Sequence, residues 1–242
     1  MIDAYCHLEM SAERPIADLE QRMDPAGVDR ALVVETWSGD NRTPLQHLID
    51  STSTKFRVAL CFRPEKMQST AEFLSAKMVQ ALRVRTADLA RLGSIARTLE
   101  DSGKWLLPHA ESGIGALTEE LVRIAALHPR LQVYLPHIGW PRCEGKDDND
   151  WHDSISRLSK LSKLVIGISA MGHFSLESFP HRDVAPFAAH LLTTFGSKSL
   201  VVASDYPLLE KDRYERYIQL ARDWIGGDNQ YGRNFETSLF GE

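Results

Sequence analysis

Five polar side chains stand where short apolar runs end. They are Tyr5 and His7 in Ile2-Asp-Ala-Tyr-Cys-His7, His109 in Trp105-Leu-Leu-Pro-His109, His137 in Val133-Tyr-Leu-Pro-His137, and Asp205 in Leu200-Val-Val-Ala-Ser-Asp205. Imidazole is a common ligand for zinc and related ions, and aspartate often completes such sites. A histidine or aspartate that binds no ion can instead move protons while water attacks. Three imidazoles and a carboxylate in equivalent places therefore point to a metal or acid/base centre. Tyr5 and His7 are two apart, which on a strand puts them on one face, with Asp3 in the same phase. Cys6 then points the other way, as a core residue and not a nucleophile. One histidine at a strand end is most often a hydrogen-bonded structural residue; its repetition on several strands argues for a site. His47, His128 and His190 fall on or at the ends of helical segments, and His152, His173 and His181 read as rim or solvated residues.

Arginines form a second set. Arg83 and Arg85 lie in one phase at the end of an apolar run, and Arg63 follows another in Cys61-Phe-Arg-Pro64. The planar guanidinium suits bidentate recognition of a carboxylate. The alternative is an ion-pair ring with Glu35, Glu65 or Glu111. Trp37, Trp140 and Phe174, each just past an apolar run, could wall a planar ligand or pack under loops.

The elements that must carry these groups alternate regularly. Strands are expected over 2–7, 30–35, 56–62, 79–84, 104–109, 131–137, 164–169 and 199–204, mostly as continuous apolar runs suited to parallel strands buried on both faces. Helical patterns lie between them. Asn41 with Pro44 marks one start, and Ser69-Thr-Ala-Glu72 has capping-box spacing. One helix is expected over 87–100 with Gly103 as its stop. Further helices are expected over 118–127, 150–161, 183–195 and 210–225, and a closing one within 229–241. Eight such units predict one α/β domain over 1–242, a single (β/α)₈ barrel, slightly distorted or not, with the polar strand ends at its catalytic mouth. An open doubly wound sheet gives the same local pattern. The irregular stretch 139–150 follows the His137 run, where a loop over the mouth would lie.

Composition narrows the partners. The 242 residues are 43% hydrophobic and 25% charged, with a net charge of −5, which gives no electrostatic case for nucleic acid or an acidic membrane surface. Three scattered cysteines form no disulfide framework. The start lacks a signal-peptide pattern and no apolar run reaches the ~20 residues of a membrane helix, so the expected location is the cytoplasm. No glycine-rich phosphate loop is present; Gly113-Ile-Gly115 is too short a match. Oligomeric state is open.

Taken in order, these motifs resemble the amidohydrolase-2 (amidohydrolase-related) family. Ile2–His7 is similar to that family's first-strand Asp-Ala-His-x-His, Pro108-His109 to its fifth-strand histidine, and Leu135-Pro-His-Ile-Gly139 to its His-x-Gly. Ala203-Ser-Asp-Tyr-Pro207 resembles its Gly-Ser-Asp-Tyr-Pro, and 235–241 its closing segment. The resemblance implies a divalent metal, usually zinc, on His7, His109 and Asp205. It further implies that Asp205 and His137 are the catalytic pair. Tyr5 departs from the pattern by replacing the first ligand histidine, and a neutral phenol is the poorer ligand. Metal bound weakly or not at all is the consequence, and the family includes a metal-independent branch, the 2-pyrone-4,6-dicarboxylate lactonases. The implied activity is hydrolysis of a small anionic, carboxylated lactone, amide or related substrate, with Tyr5, Arg63, Arg83 and Arg85 binding it. The alternatives are a nonoxidative decarboxylase similar to aminocarboxymuconate-semialdehyde decarboxylase, or a barrel that binds a small molecule without chemistry.

Overall fold

The structure, a computed structural model, describes residues 1–110, 113–143, 148–208, 213–226 and 232–241. Among these residues are eight strands: β1 (Ile2–Cys6), β2 (Arg30–Val34), β3 (Phe56–Cys61), β4 (Val79–Arg85), β5 (Trp105–His109), β6 (Gln132–Leu135), β7 (Leu164–Ile168) and β8 (Leu200–Val202). They pair in parallel in sequence order, the topology of a (β/α)₈ barrel. β1 and β8 carry no strand ladder between them, yet their carboxyl ends are joined. Asp205 N donates to Tyr5 O at 2.9 Å, and His7 N donates to Tyr206 O at 2.6 Å. The seam is thus closed at the end of the barrel where the candidate residues lie.

Alternation along the strands divides the apolar residues into two clusters. Val33, Val58, Leu60 and Leu82 join the larger one with the surrounding helices, while Val34, Ala59, Ala81 and Leu107 belong to a smaller one with Tyr5 and Tyr134. Small side chains make room for the two tyrosines. A Cβ at Gly167 would stand 2.4 Å from the Tyr134 hydroxyl, so β7 needs glycine there. The helix Arg233–Phe240 closes the amino end: Phe235 meets the Trp105 and Tyr134 rings at 4.7 and 4.8 Å, and Arg57 Nε donates to Leu239 O at 3.0 Å.

Several local expectations change. The register of β1 against β2 shifts between Asp3 and Cys6, so Asp3 leaves the phase of Tyr5 and His7. Asp3 instead accepts hydrogen bonds from Tyr5 N, Ser204 N, Ser204 Oγ and the Tyr214 hydroxyl, bracing the β1–β8 seam against the helix Tyr214–Ile225. Asn41 does not cap its helix; its amide donates to Val34 O and its Oδ1 accepts from Thr36 N. Ser69 lies inside the helix Met67–Leu74 and bonds back to Lys66 O, so the capping box does not form. The span 87–100 is two helices, Thr86–Leu89 and Ser94–Ser102, interrupted at Gly93 (φ 50°), while Gly103 does end the second in a left-handed turn (φ 66°). Glu111, Gly145, and parts of the expected helices at 210–212 and 229–231 lie outside the described residues. Among the described residues no helix is long and apolar enough to cross a membrane.

Candidate active site

β1 delivers Tyr5 and, just beyond it, His7, whose rings meet edge to face at 5.3 Å. His7 Nδ1 donates to Val34 O at 2.7 Å, because a carbonyl can only accept. Its Nε2 is therefore unprotonated, buried and, among the described residues, without a partner. Burial, with the Arg83 charge, lowers its pKa to about 4. Tyr5 is fully enclosed, and desolvation pushes its phenol far above the ordinary range. It is a neutral O–H donor for which the described protein offers no acceptor.

His137 lies past the end of β6, in a short 3₁₀ turn, and its ring packs on Tyr5 at 4.5 Å. Its Nδ1 is 2.9 Å from Ser169 Oγ, which also accepts from His137 N. Burial lowers its pKa to about 4 despite the attraction of Asp205. Asp205 follows β8 and is 2% exposed. One carboxylate oxygen, Oδ2, is 3.2 Å from His173 Nε2; the other, Oδ1, has no hydrogen-bond partner among the described residues and stands 4.0 Å from His137 Nε2. Burial works against ionisation of Asp205, but His137, the His173 hydrogen bond and His7 together hold its pKa below the usual carboxylate range. Both His137 and Asp205 have left-handed backbones (φ 58° each), as do Ile138, Trp140 and Ala170 beside them. A non-glycine residue there costs on the order of 1–3 kcal/mol, and such strain collects at working sites.

His109 ends β5 between the rings of Trp37 and Trp140, at 5.6 and 5.4 Å. Burial and the neighbouring Arg83 lower its pKa to about 3. Arg83, 5% exposed, reaches it from β4: Nη2 is 3.4 Å from His109 Nδ1, while Nη1 donates to Glu35 O at 3.1 Å. The guanidinium lies 5.6 Å from the centre of the Tyr5 ring and 4.6 Å from Trp37. Arg85 stacks on the same Trp37 at 4.5 Å.

Seven of the eight singled-out residues thus meet around one mouth. Arg63 does not join them. It is paired with Glu35 at 3.0 Å, as is Arg42, and both arginines line a separate cavity of about 460 Å³ between β2 and β3 with Lys66 and Phe73. Arg63, one of the three arginines of the set, thus follows the ion-pair alternative. Trp37 and Trp140 wall the site as expected, whereas Phe174 packs against the outer core. His173, which the sequence places at the rim, also joins the site; its spacing carries no motif, and the short helix after β7 brings it to Asp205.

The expected ligands His7, His109 and Asp205 do not fit a resident metal. Among the described residues no three His, Cys, Asp or Glu side chains are grouped to hold one. At position 5, where the resemblance implies a further donor, stands a neutral phenol, and the Arg83 guanidinium lies 3.4 Å from His109 Nδ1.

Comparison with known proteins agrees with the barrel. Residues 72–227 match the family model Amidohydro_2, described as Amidohydrolase. No curated protein matches the sequence. Among solved structures, the fold is similar to that of a probable 2-pyrone-4,6-dicarboxylic acid hydrolase from Acinetobacter baumannii with citric acid bound. That pair has 15% identity and a TM-score of 0.79, covering 100% of this chain and 99% of the other. An amidohydrolase from Burkholderia multivorans with bound zinc is similar at 14% identity and TM-score 0.77, covering 99% and 98%. The 5-carboxyvanillate decarboxylase of Sphingomonas paucimobilis is also similar, at 14% identity and TM-score 0.62, again covering 99% and 98%.

Proposed function

This chain belongs to the amidohydrolase family, and we propose that it is a hydrolase that adds water to the carbonyl of a small carboxylated lactone or amide. One observation carries the reading: Asp205, ionised and almost wholly buried, is bonded through one oxygen and presents the other toward His137 across 4.0 Å. One water oxygen bridges such a gap with a normal hydrogen bond to each side. Asp205 Oδ1 takes a proton from that water as its oxygen bonds to the carbonyl carbon. The carbonyl electron pair moves to the oxygen, where the Tyr5 hydroxyl and Arg83 stabilise the developing charge, as donors fixed in a dry site do. Collapse breaks the bond to the leaving oxygen or nitrogen, which takes the proton from Asp205, with His137 as the neighbouring relay. Arg85, beside Arg83 on Trp37, orients the substrate carboxylate through charge-assisted hydrogen bonds. The citric acid in the Acinetobacter relative supports a small polycarboxylate as the class of ligand.

A second reading, nonoxidative decarboxylation, draws on the likeness to the decarboxylase fold. There the arginines hold the departing carboxylate and His137 protonates the carbon left behind. Incubation with lactones and carboxylated aromatics in ¹⁸O-labelled water, with and without chelator, separates the two. Hydrolysis places one ¹⁸O in the product. Loss of carbon dioxide without label supports the decarboxylase, and binding without turnover supports a non-catalytic barrel.

A further inference from the structure

We infer that Arg83 takes the place of a metal in this barrel: its fixed guanidinium excludes a divalent cation from His7, His109 and Asp205 and supplies the positive charge there itself. The inference deepens the hydrolase reading but stands on separate observations. Arg83 is held from three sides. Nη1 donates to the backbone oxygen of Glu35 at 3.1 Å, the Trp37 ring lies 4.6 Å from the guanidinium, and Nη2 faces His109 Nδ1 at 3.4 Å. It is nearly inaccessible, so it does not swing out to solvent as a surface arginine would. Its Nε has no acceptor among the described residues although it is buried, as a donor directed toward an anion or a carbonyl would be.

A dication near these imidazoles would face that charge with little water between them. At about 6 Å, a unit charge weakens binding of a dication by about tenfold at the dielectric of water, and by far more at the lower dielectric of a protein interior. The same charge attracts an anion, so the position that would hold a cation becomes one for substrate oxygen. The phenol at position 5 is consistent with this: it donates a hydrogen bond to an oxygen, where an imidazole lone pair would have served an ion. Two barriers to metal then exist, the missing imidazole and the guanidinium, and removing one leaves the other.

The test is a cycle of zinc affinities measured by chelator competition on the full chain, with thermal unfolding to check folding. Its members are wild type, Tyr5→His, Arg83→Gln, and the double variant. Gln keeps a donor for Glu35 O while removing the charge, and Arg83→Met in the Tyr5→His background is a second neutral form. Tyr5→His alone should gain less than about tenfold, and the double variant about 100-fold or more over wild type. Tyr5→His combined with Arg83→Lys, which keeps the charge, should remain near the single variant. Stoichiometric, tightly held zinc in wild type would overturn the inference. So would a double variant no tighter than Tyr5→His alone. If neither neutral double variant folds, the charge-retaining double decides: zinc binding there as tight as stoichiometric occupancy requires would also overturn it. None of these readouts depends on turnover, so a failure here leaves the hydrolase reading to its own experiment.

Discussion

His173 Nε2 lies 3.2 Å from one oxygen of Asp205, and that contact leaves the other oxygen without a partner among the described residues. Asp205 itself is enclosed, while His173 is about half exposed, so the pair links a buried base to the solvent edge of the barrel. A hydrogen bond from His173 both orients the carboxylate and keeps it ionised.

Replacing His173 separates those effects. A hydrogen bond to a charged group is worth about 1.5–3 kcal/mol, and partial exposure of the imidazole puts this one near the low end, so His173→Ala should lower kcat by about tenfold. Loss of the bond lets the Asp205 pKa rise, moving the acid limb of kcat/KM to higher pH. His173→Gln, which retains a donor, should recover part of both. An unchanged acid limb in the Ala variant would assign His173 to the rim alone.

Arg83 and Arg85 converge on Trp37 from one strand. Arg85→Ala should raise KM for a carboxylated substrate far more than for its ester or amide analogue. Lys should restore only part, because it keeps charge without the planar fork. Equal effects on charged and neutral analogues would make Arg85 a structural residue.

Acid lability follows from the buried imidazoles. His7 and His137 titrate near 4 and His109 near 3 in the folded protein, against about 6.5 in an unfolded chain. Between those values the unfolded state binds protons that the folded state refuses, so stability should fall as pH drops from 6.5 through 4. Asp3 acts in the opposite sense. Burial raises its pKa to about 6 against four hydrogen bonds, so the folded state takes up that proton first. Three bases outweigh one acid, and the urea midpoint should be lower at pH 5 than at pH 7. A midpoint that holds or rises on acidification would contradict the buried, neutral state of these histidines.

Gly167→Ala tests the barrel interior. The added methyl meets the Tyr134 hydroxyl at 2.4 Å with the tyrosine fully enclosed, and overpacking of this kind costs about 1–3 kcal/mol. A lowered urea midpoint is expected, and Gly167→Ala combined with Tyr134→Phe should recover part of it. An unaltered single variant would mean that Tyr134 has room to move.

Much of this arrangement is legible in the chain because strand ends are marked twice, by apolar runs and by the polar residue that stops them. His109 and Asp205 were identifiable on that ground, and Arg83 and Arg85 by their shared phase. Asp3 departs from the strand phase because a register shift within five residues has no sequence signature, and its carboxylate bonds to Ser204 and Tyr214 at the seam. Arg63 lies two residues past β3, where the backbone turns and strand phase no longer sets direction, so Glu35 decides its position. His173 depends on the turn after β7, and Gly93 on a φ of 50° within an otherwise helical pattern. Periodicity records elements; it does not record which loop residue folds back onto a strand end.

The most direct test is Asp205→Asn, which removes the base and keeps the shape. The hydrolase account predicts a loss in kcat on the order of 10²–10⁴-fold, with KM and the urea midpoint close to wild type and metal content, measured on the same preparation, unchanged. A kcat near that of wild type would contradict the account and would leave His137 as the group that activates water.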